Sequence, residues 1–267
     1  MEIILKNLVC TSVNEEKKLN NVTYTFFKEN ITFVSGLSGR LLRDLLIGKK
    51  QKQSGQIMLQ PTGTYKDIGY LSNNPLKEFK CKNLYDEMLL VSEKYELNYS
   101  DNKTKIAAAL KMANLDDSIL GRSFNTLSTT ELKKAQLALI LYYNPKVYIL
   151  DYFEKGFNYK DIDYIKRLLK KLKNKYEKNI IIVSDNIGNF LDTLDCFVIF
   201  EKGFLVFKGS NKDLYSEELY KYIRCPKIIE FIKMVKDKNI NLSNYLDMNE
   251  LIKGIYRSVE GKWDIKQ

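Results

Sequence analysis

A chain of 267 residues with 45% hydrophobic residues is long enough for one large α/β domain, alone or with a C-terminal extension, and it can bury a sizeable core. It contains no histidine, which excludes histidine acid–base catalysis, a Ser-His-Asp triad and histidine-ligated metal. The formal net charge is +10, and Cys10, Cys81, Cys196 and Cys225 are scattered without a CxxC pair, a pattern that fits reduced thiols in a cytosolic protein and argues against a zinc site.

In chain order, the start from Met1 to Lys6 reads as an entering strand rather than a signal peptide. Strand-like runs follow at 3–9, 21–27 and 31–35, separated by turn signals at Asn20-Asn21 and Lys28-Glu29-Asn30. The third run enters a glycine-containing loop, and a helix is expected from about Leu41 to Ile47. Short strands come next at 54–59 and 67–71. The region from about 83 to 143 has helical periodicity, with helices at 83–97 and 103–112. A third helix starts at Ser128, where Glu131 completes a capping box, and stops at Asn144-Pro145.

Val147–Leu150 is a short buried strand. In the helix after Tyr159 the run Ile165–Lys173 places apolar residues at i, i+3, i+4 and i+7, so its lysines form a solvated basic face. No aromatic residue interleaves with them, and nucleic acid is not an expected partner. A buried strand at 179–184 and two more at 196–200 and 204–207, joined by a turn at Glu201-Lys202-Gly203, complete the pattern. The stretch from about 211 to 267 reads as helical and polar. No apolar run reaches the roughly 20 residues that span a bilayer.

Three segments carry the chemistry. The first is Phe33-Val34-Ser35-Gly36-Leu37-Ser38-Gly39-Arg40-Leu41-Leu42. A phosphate loop of the form GxxxxGK[ST] needs glycines for backbone approach, lysine for the β/γ-phosphates and a hydroxyl for Mg²⁺. This stretch fits best as such a loop shortened by about three residues. In the other alignment Arg40 replaces the lysine, and Leu41 and Leu42 replace the hydroxyl residues. Gly36, Ser38, Gly39 and Arg40 are the candidate phosphate-binding residues, and the alternative is a tight structural turn. The second segment is Leu127-Ser128-Thr129-Thr130-Glu131, and the third is Ile149-Leu150-Asp151-Tyr152-Phe153-Glu154-Lys155-Gly156-Phe157-Asn158.

The last two segments, at this spacing, resemble the LSGGQ signature and the ILDEPTAGLD strand-and-turn of ATP-binding-cassette (ABC) transporter ATPases. The resemblance implies an α/β, ABC-type P-loop nucleotide-binding fold: a mixed sheet core with an inserted helical subdomain, here about 83–143. Residues 1–215 would form that domain and 216–267 a small helical C-terminal extension. It also implies that Ser128 and the helix behind it face a γ-phosphate held by an opposite subunit, and that Asp151 is the Walker B aspartate that helps hold Mg²⁺. Tyr152 then stands in place of the catalytic glutamate, Asn73 in place of the Q-loop glutamine and Asp185 in place of the switch histidine. A phenol with a pKa of about 10 does not serve as a base at neutral pH. No aromatic lies between Val9 and Val13, near Ser12, to stack on adenine.

The Asn74-Pro75 pair, Leu84-Tyr85-Asp86-Glu87, and a tail with Cys225-Pro226, Lys238–Leu242 and Met248–Leu251 resemble the ATPases of energy-coupling factor (ECF) transporters. That family implies a second ABC ATPase subunit and a transmembrane scaffold subunit as partners, at the cytoplasmic face of the membrane, with the chain peripheral. The expected role is a catalytically degenerate partner in an ATPase dimer that drives solute uptake. ATP is then a weakly held ligand, Mg²⁺ belongs to a mixed dimer, and no residue is assigned as catalytic. The alternative is a soluble regulatory or scaffolding pseudoenzyme outside transport. A working ATPase would need Arg40 and Glu154 to replace the lost lysine and glutamate, and Glu154 sits two residues from the required position.

Overall fold

The computed structural model describes residues 1–12, 18–35, 37–97, 102–238, 242–243 and 245–263. Val13, Gly36, Asn239, Ile240 and Asn241, which figure in the sequence reading, lie outside the described residues. Among the described residues nine strands occur in chain order: β1 (Glu2–Thr11), β2 (Lys18–Phe26), β3 (Ile31–Ser35), β4 (Ser54–Gln60), β5 (Ile68–Leu71), β6 (Val147–Asp151), β7 (Asn179–Val183), β8 (Cys196–Glu201) and β9 (Phe204–Ser210). The helices are α1 (Leu37–Leu46), α2 (Leu84–Lys94), α3 (Asn102–Met112), α4 (Thr129–Tyr143), α5 (Tyr159–Tyr176), α6 (Lys227–Asp237) and α7 (Met248–Trp263).

The strands form two sheets. One is a six-stranded mixed sheet in the order β5-β6-β7-β3-β8-β9, parallel except for the β8–β9 hairpin. The other is a three-stranded antiparallel sheet in the order β2-β1-β4. Every residue of β3, β6 and β7 is buried, as expected of apolar runs covered on both faces of a parallel sheet. Two apolar clusters result. One packs α1 between the two sheets, with Leu41, Leu42, Leu45 and Leu46 facing Val34, Ile149 and Val183. The larger covers the opposite face with α2 to α5, and Ile229 and Ile232 of α6 and Leu251 of α7 join it. The Asn179 amide ties the layers by donating to the carbonyls of Met1 and Phe26, each at 3.1 Å.

The region from 83 to 143 holds α2, α3 and α4, inserted between β5 and β6. α4 starts on the expected capping box of Ser128 and Glu131 and ends at Asn144, whose φ of 54° is left-handed. In α5 the apolar residues Ile165, Leu168, Leu169 and Leu172 are buried. The basic face is less solvated than its spacing suggests, because Lys166 and Lys170 pair with Asp192 and Lys173 pairs with Asp195.

Some boundaries differ from the sequence reading. β2 begins at Lys18 rather than Asn21, because pairing with β1 extends it to the Thr11–Lys18 register. The tail is less continuously helical than its polarity suggests: short turns at Asn211–Tyr215 and Leu219–Lys221 precede α6. The largest shift concerns α1, which starts at Leu37 instead of about Leu41.

β5 lies under α4 without room for a side chain at Gly69, where an added Cβ would stand 2.5 Å from Ile140 and 2.6 Å from Pro145. Gly69→Ala should therefore destabilise the fold by about 1–3 kcal/mol, the usual cost of overpacking. A urea unfolding midpoint equal to wild type would contradict this packing.

Candidate functional site

The carboxyl ends of β3, β6 and β7 define the crevice in which an open parallel sheet usually binds ligands. Position 36 alone separates β3 from α1. Ser38, Gly39 and Arg40 therefore lie in the first turns of α1 instead of in a loop. Gly39 serves packing: a Cβ there would sit 3.0 Å from the Val34 side chain and 3.7 Å from that of Val183, so glycine lets α1 approach β3 and β7 closely. Ser38 is buried.

α1 sends two arginines, one turn apart, into the crevice. Arg43 Nη1 lies 2.5 Å from Asp151 Oδ2, with both side chains largely buried. The same oxygen accepts from the Tyr70 hydroxyl at 3.1 Å, while Asp151 Oδ1 is buried with no hydrogen-bond partner. Burial works against the charge of Arg43, yet the hydrogen bond and negative charge of Asp151 hold its pKa above the ordinary value. Burial, aided by the Asp151 charge, pushes the Tyr70 phenol well above its own.

Arg40 engages Tyr152 and Asp185. Its Nη2 and Nε donate to the Tyr152 hydroxyl at 2.7 and 3.1 Å, and Nη2 reaches Asp185 Oδ2 at 3.5 Å. Asp185 is mostly exposed. The Tyr152 ring has Arg40 at 4.5 Å and Lys155 at 4.3 Å from its centroid, a pair of cation–π contacts. Its φ of 47° is unusual for a bulky residue. The surroundings fix it there: its N–H donates to the Val183 carbonyl at 2.9 Å. Burial first, and Asp185 second, push its phenol up to about 12. Asn73 is exposed on the turn after β5, where Ser72 N–H donates to the Gln136 side chain at 2.8 Å.

The α4 end of the site is closed on itself. Ser128 N–H and Oγ donate to Glu131 Oε2 at 2.8 and 2.9 Å, and Arg122 binds the same carboxylate at 2.7 Å. Hydrogen bonds from the Ser128 backbone and hydroxyl, then the one from Arg122, hold Glu131 down at about 2. Thr130 Oγ1 donates to the Gly156 carbonyl at 3.0 Å.

One turn on, Lys133 is almost fully buried, and its Nζ donates to the carbonyls of Tyr152 at 3.3 Å, Phe153 at 3.1 Å and Lys155. Burial lowers its pKa. Glu154 is buried, with one oxygen accepting from Ser184 Oγ and the other unpartnered, and burial raises its pKa. It faces Ser184 rather than the crevice occupied by Arg40.

The structure thus brings Arg40, Asp151, Tyr152 and Asp185 together and leaves Asn73 and Ser128 apart from them. Arg43, Tyr70 and Lys133 were missed. The i, i+3 spacing of Arg40 and Arg43 on a leucine-rich helix was the available signal for the first. For Lys133 it was a lysine within the buried side of α4.

The model of the ABC transporter family matches residues 19–152, half of the chain. The chain belongs to the ABC transporter family of ATP-binding proteins. It is similar to the energy-coupling factor transporter ATP-binding protein EcfA of Malacoplasma penetrans, 21% identical over 88% of this chain and 86% of that protein. A second relative, EcfA2 of Mycoplasma capricolum, is 26% identical over 91% and 92% of the two chains. The fold matches cbiO1 of Clostridium perfringens, part of the ABC transporter complex cbiONQ, with a TM-score of 0.68 and 19% identity over 86% of this chain and 98% of that one. An ABC transporter ATP-binding subunit matches with a TM-score of 0.72 and 15% identity, over 88% and 100%.

Removing one partner of a buried pair strands the other charge. Arg43→Met should cost about 3–5 kcal/mol of stability, whereas Arg40→Met, on a partly exposed side chain, should cost about 1 kcal/mol or less. Chemical denaturation of both variants checks the ranking; equal effects would remove Arg43 from its structural role.

Proposed function

We propose that this chain is a catalytically degenerate ATPase subunit of an ECF-type transporter, paired with a second, better-equipped ABC ATPase beneath a transmembrane subunit. The observation that carries the reading is the Arg43–Asp151 pair. In this family a divalent ion and a nucleotide would bring positive charge and phosphate to the end of β6. Here a guanidinium from the chain itself takes the Asp151 oxygen at 2.5 Å. That donor set does not fit Mg²⁺, since a fixed cation already neutralises the carboxylate and neither alignment of the shortened loop supplies the metal-binding hydroxyl. No catalytic step is assigned to this side.

The family architecture remains usable for assembly. A cleft of about 440 Å³ lies between the core and the inserted helices, near the Q-loop position. Tyr70, Phe79 and Tyr143 line it, together with Lys49, Lys94 and Glu78. Aromatic walls with a lysine rim suit a segment of the membrane subunit, through which closure of the ATPase pair would be transmitted. Among the described residues no helix is long and apolar enough to cross a membrane. The membrane connection in this reading therefore runs through that partner.

The test has two parts. The isolated chain should bind ATP no better with Mg²⁺ than without it, and should show no turnover in the ordinary enzyme range of about 1–10³ s⁻¹. Tyr152→Glu should not restore turnover, because Arg40 would pair with the new carboxylate. Magnesium-dependent tight binding, or turnover gained by the variant, would overturn the degenerate assignment. A tagged chain isolated from its own membranes should bring with it an ABC ATPase and a multi-helix membrane protein. Recovery without either would favour a scaffolding role outside transport.

A further inference from the structure

We infer that a cavity between the turn after β6 and the C-terminal extension binds a small organic cation, an aliphatic amine whose ammonium group meets Glu154. The cavity has a volume of about 390 Å³, a size typical of small-molecule sites. Its polar wall is built from distant parts of the chain. Glu154 comes from the turn after β6, Asp163 and Lys166 from α5, Asp192 from the segment between β7 and β8, and Asp247 from the residue before α7.

Carboxylates outnumber ammonium groups in this wall. Lys166 alone serves three of them: its Nζ lies 2.5 Å from Asp192, 3.9 Å from Asp163 and 3.9 Å from Asp247. Lys170 adds a second pair to Asp192 at 2.9 Å. Glu154 stands outside this network and is the most deeply buried polar residue of the wall, 7% exposed. Ser184, which is not part of the cavity, donates to one of its oxygens, while Oε2 is buried with no partner. Lys133 acts on this carboxylate through its charge but spends its hydrogen bonds on three carbonyls. A buried carboxylate oxygen without a donor is costly. The N–H groups of an ammonium ligand supply what the fold does not. Burial raises the Glu154 pKa, and a cation at the cavity end would favour the ionised form.

The rest of the wall selects the class of cation. Phe157, Ile228 and Leu246 add apolar surface. Among the described residues no group of carboxylates and thiols is placed to hold a metal ion, and a bare divalent ion needs a full shell of oxygen ligands. A carbon chain that ends in ammonium fits both features. One ammonium meets Glu154, the chain lies on the apolar side chains, and a second ammonium faces Asp163 and Asp247. Tyr159, 65% exposed, adds an aromatic face for the cation. The wall joins the turn that carries Tyr152 to the start of α7, so a bound amine would fasten the extension to the core and stabilise the folded chain.

Calorimetric titration of the full chain with diaminobutane, spermidine, butanediol and magnesium chloride tests the site. Both amines should bind at one site per chain with a Kd below about 1 mM, and butanediol, which has the same carbon chain without charge, should give no binding. Glu154→Gln keeps the shape and removes the charge, and it should weaken both amines about tenfold or more. Asp163→Asn, on the partly exposed side of α5, should weaken them severalfold and carries the test if the buried variant fails to fold. Glu217→Gln, at an exposed carboxylate outside the cavity, should change nothing. Absence of amine binding, or affinities unchanged in both cavity variants, would overturn the inference. So would binding of butanediol as tight as that of diaminobutane. Displacement of the amine by an equal concentration of Mg²⁺, or an equal loss in Glu217→Gln, would also overturn it by tracing the affinity to diffuse surface charge.

Discussion

A carboxylate buried at the end of β6 needs a positive charge beside it, and the surroundings of Asp151 follow from how this chain supplies one. An unpaired charge in that position would be far too costly to bury. Arg43 provides the partner from α1, which requires the helix to begin almost where β3 ends and to lie close against the sheet. Gly39 permits the approach by keeping a Cβ away from Val34 and Val183. The same placement swings Arg40 onto Tyr152 and Asp185. One electrostatic requirement thus ties together the position of α1 and the contacts of Tyr152 and Asp185.

A second buried charge joins the inserted helices to the core. The Lys133 ammonium has three donors, and three carbonyls of the turn after β6 accept them. The turn needs that support, since it carries Tyr152 in a left-handed conformation. Lys134 adds an ion pair to Asp161 at 2.6 Å, and Gln136 binds the backbone at Ser72. α4 is therefore fastened at successive turns to β5, to the turn after β6 and to the start of α5. These contacts fix the distance between its N-terminus and the end of β6 without any ligand.

The chain shares the fold of ABC ATPases, a mixed sheet with helices inserted between β5 and β6. Polar groups at the strand ends are neutralised by the chain's own side chains: Arg43 serves the Asp151 carboxylate, Arg40 the Tyr152 phenol and Lys133 the carbonyls after β6, while Glu131 caps α4. These contacts sit at the rim of the hydrophobic core and leave it intact.

The sequence by itself determined the elements and their order. Unbroken apolar runs such as Val147–Leu150 and 180–183 define strands covered on both faces, and the Ser128–Glu131 pair with Asn144-Pro145 brackets α4, because those signals are local and the backbone obeys them wherever they sit. It also singled out Arg40, Asp151, Tyr152 and Asp185 as candidate site residues. The partners of those residues were decided only by tertiary structure. Arg43 and Asp151 are separated by more than a hundred positions, and nothing in the local pattern of either says that they meet. The start of α1 at Leu37 rather than about Leu41 has the same origin: the close packing of Gly39 against two strands is a tertiary contact. Long-range charge neutralisation and close backbone approach are properties of the assembled sheet, so they became visible only once β3, β6 and β7 lay side by side.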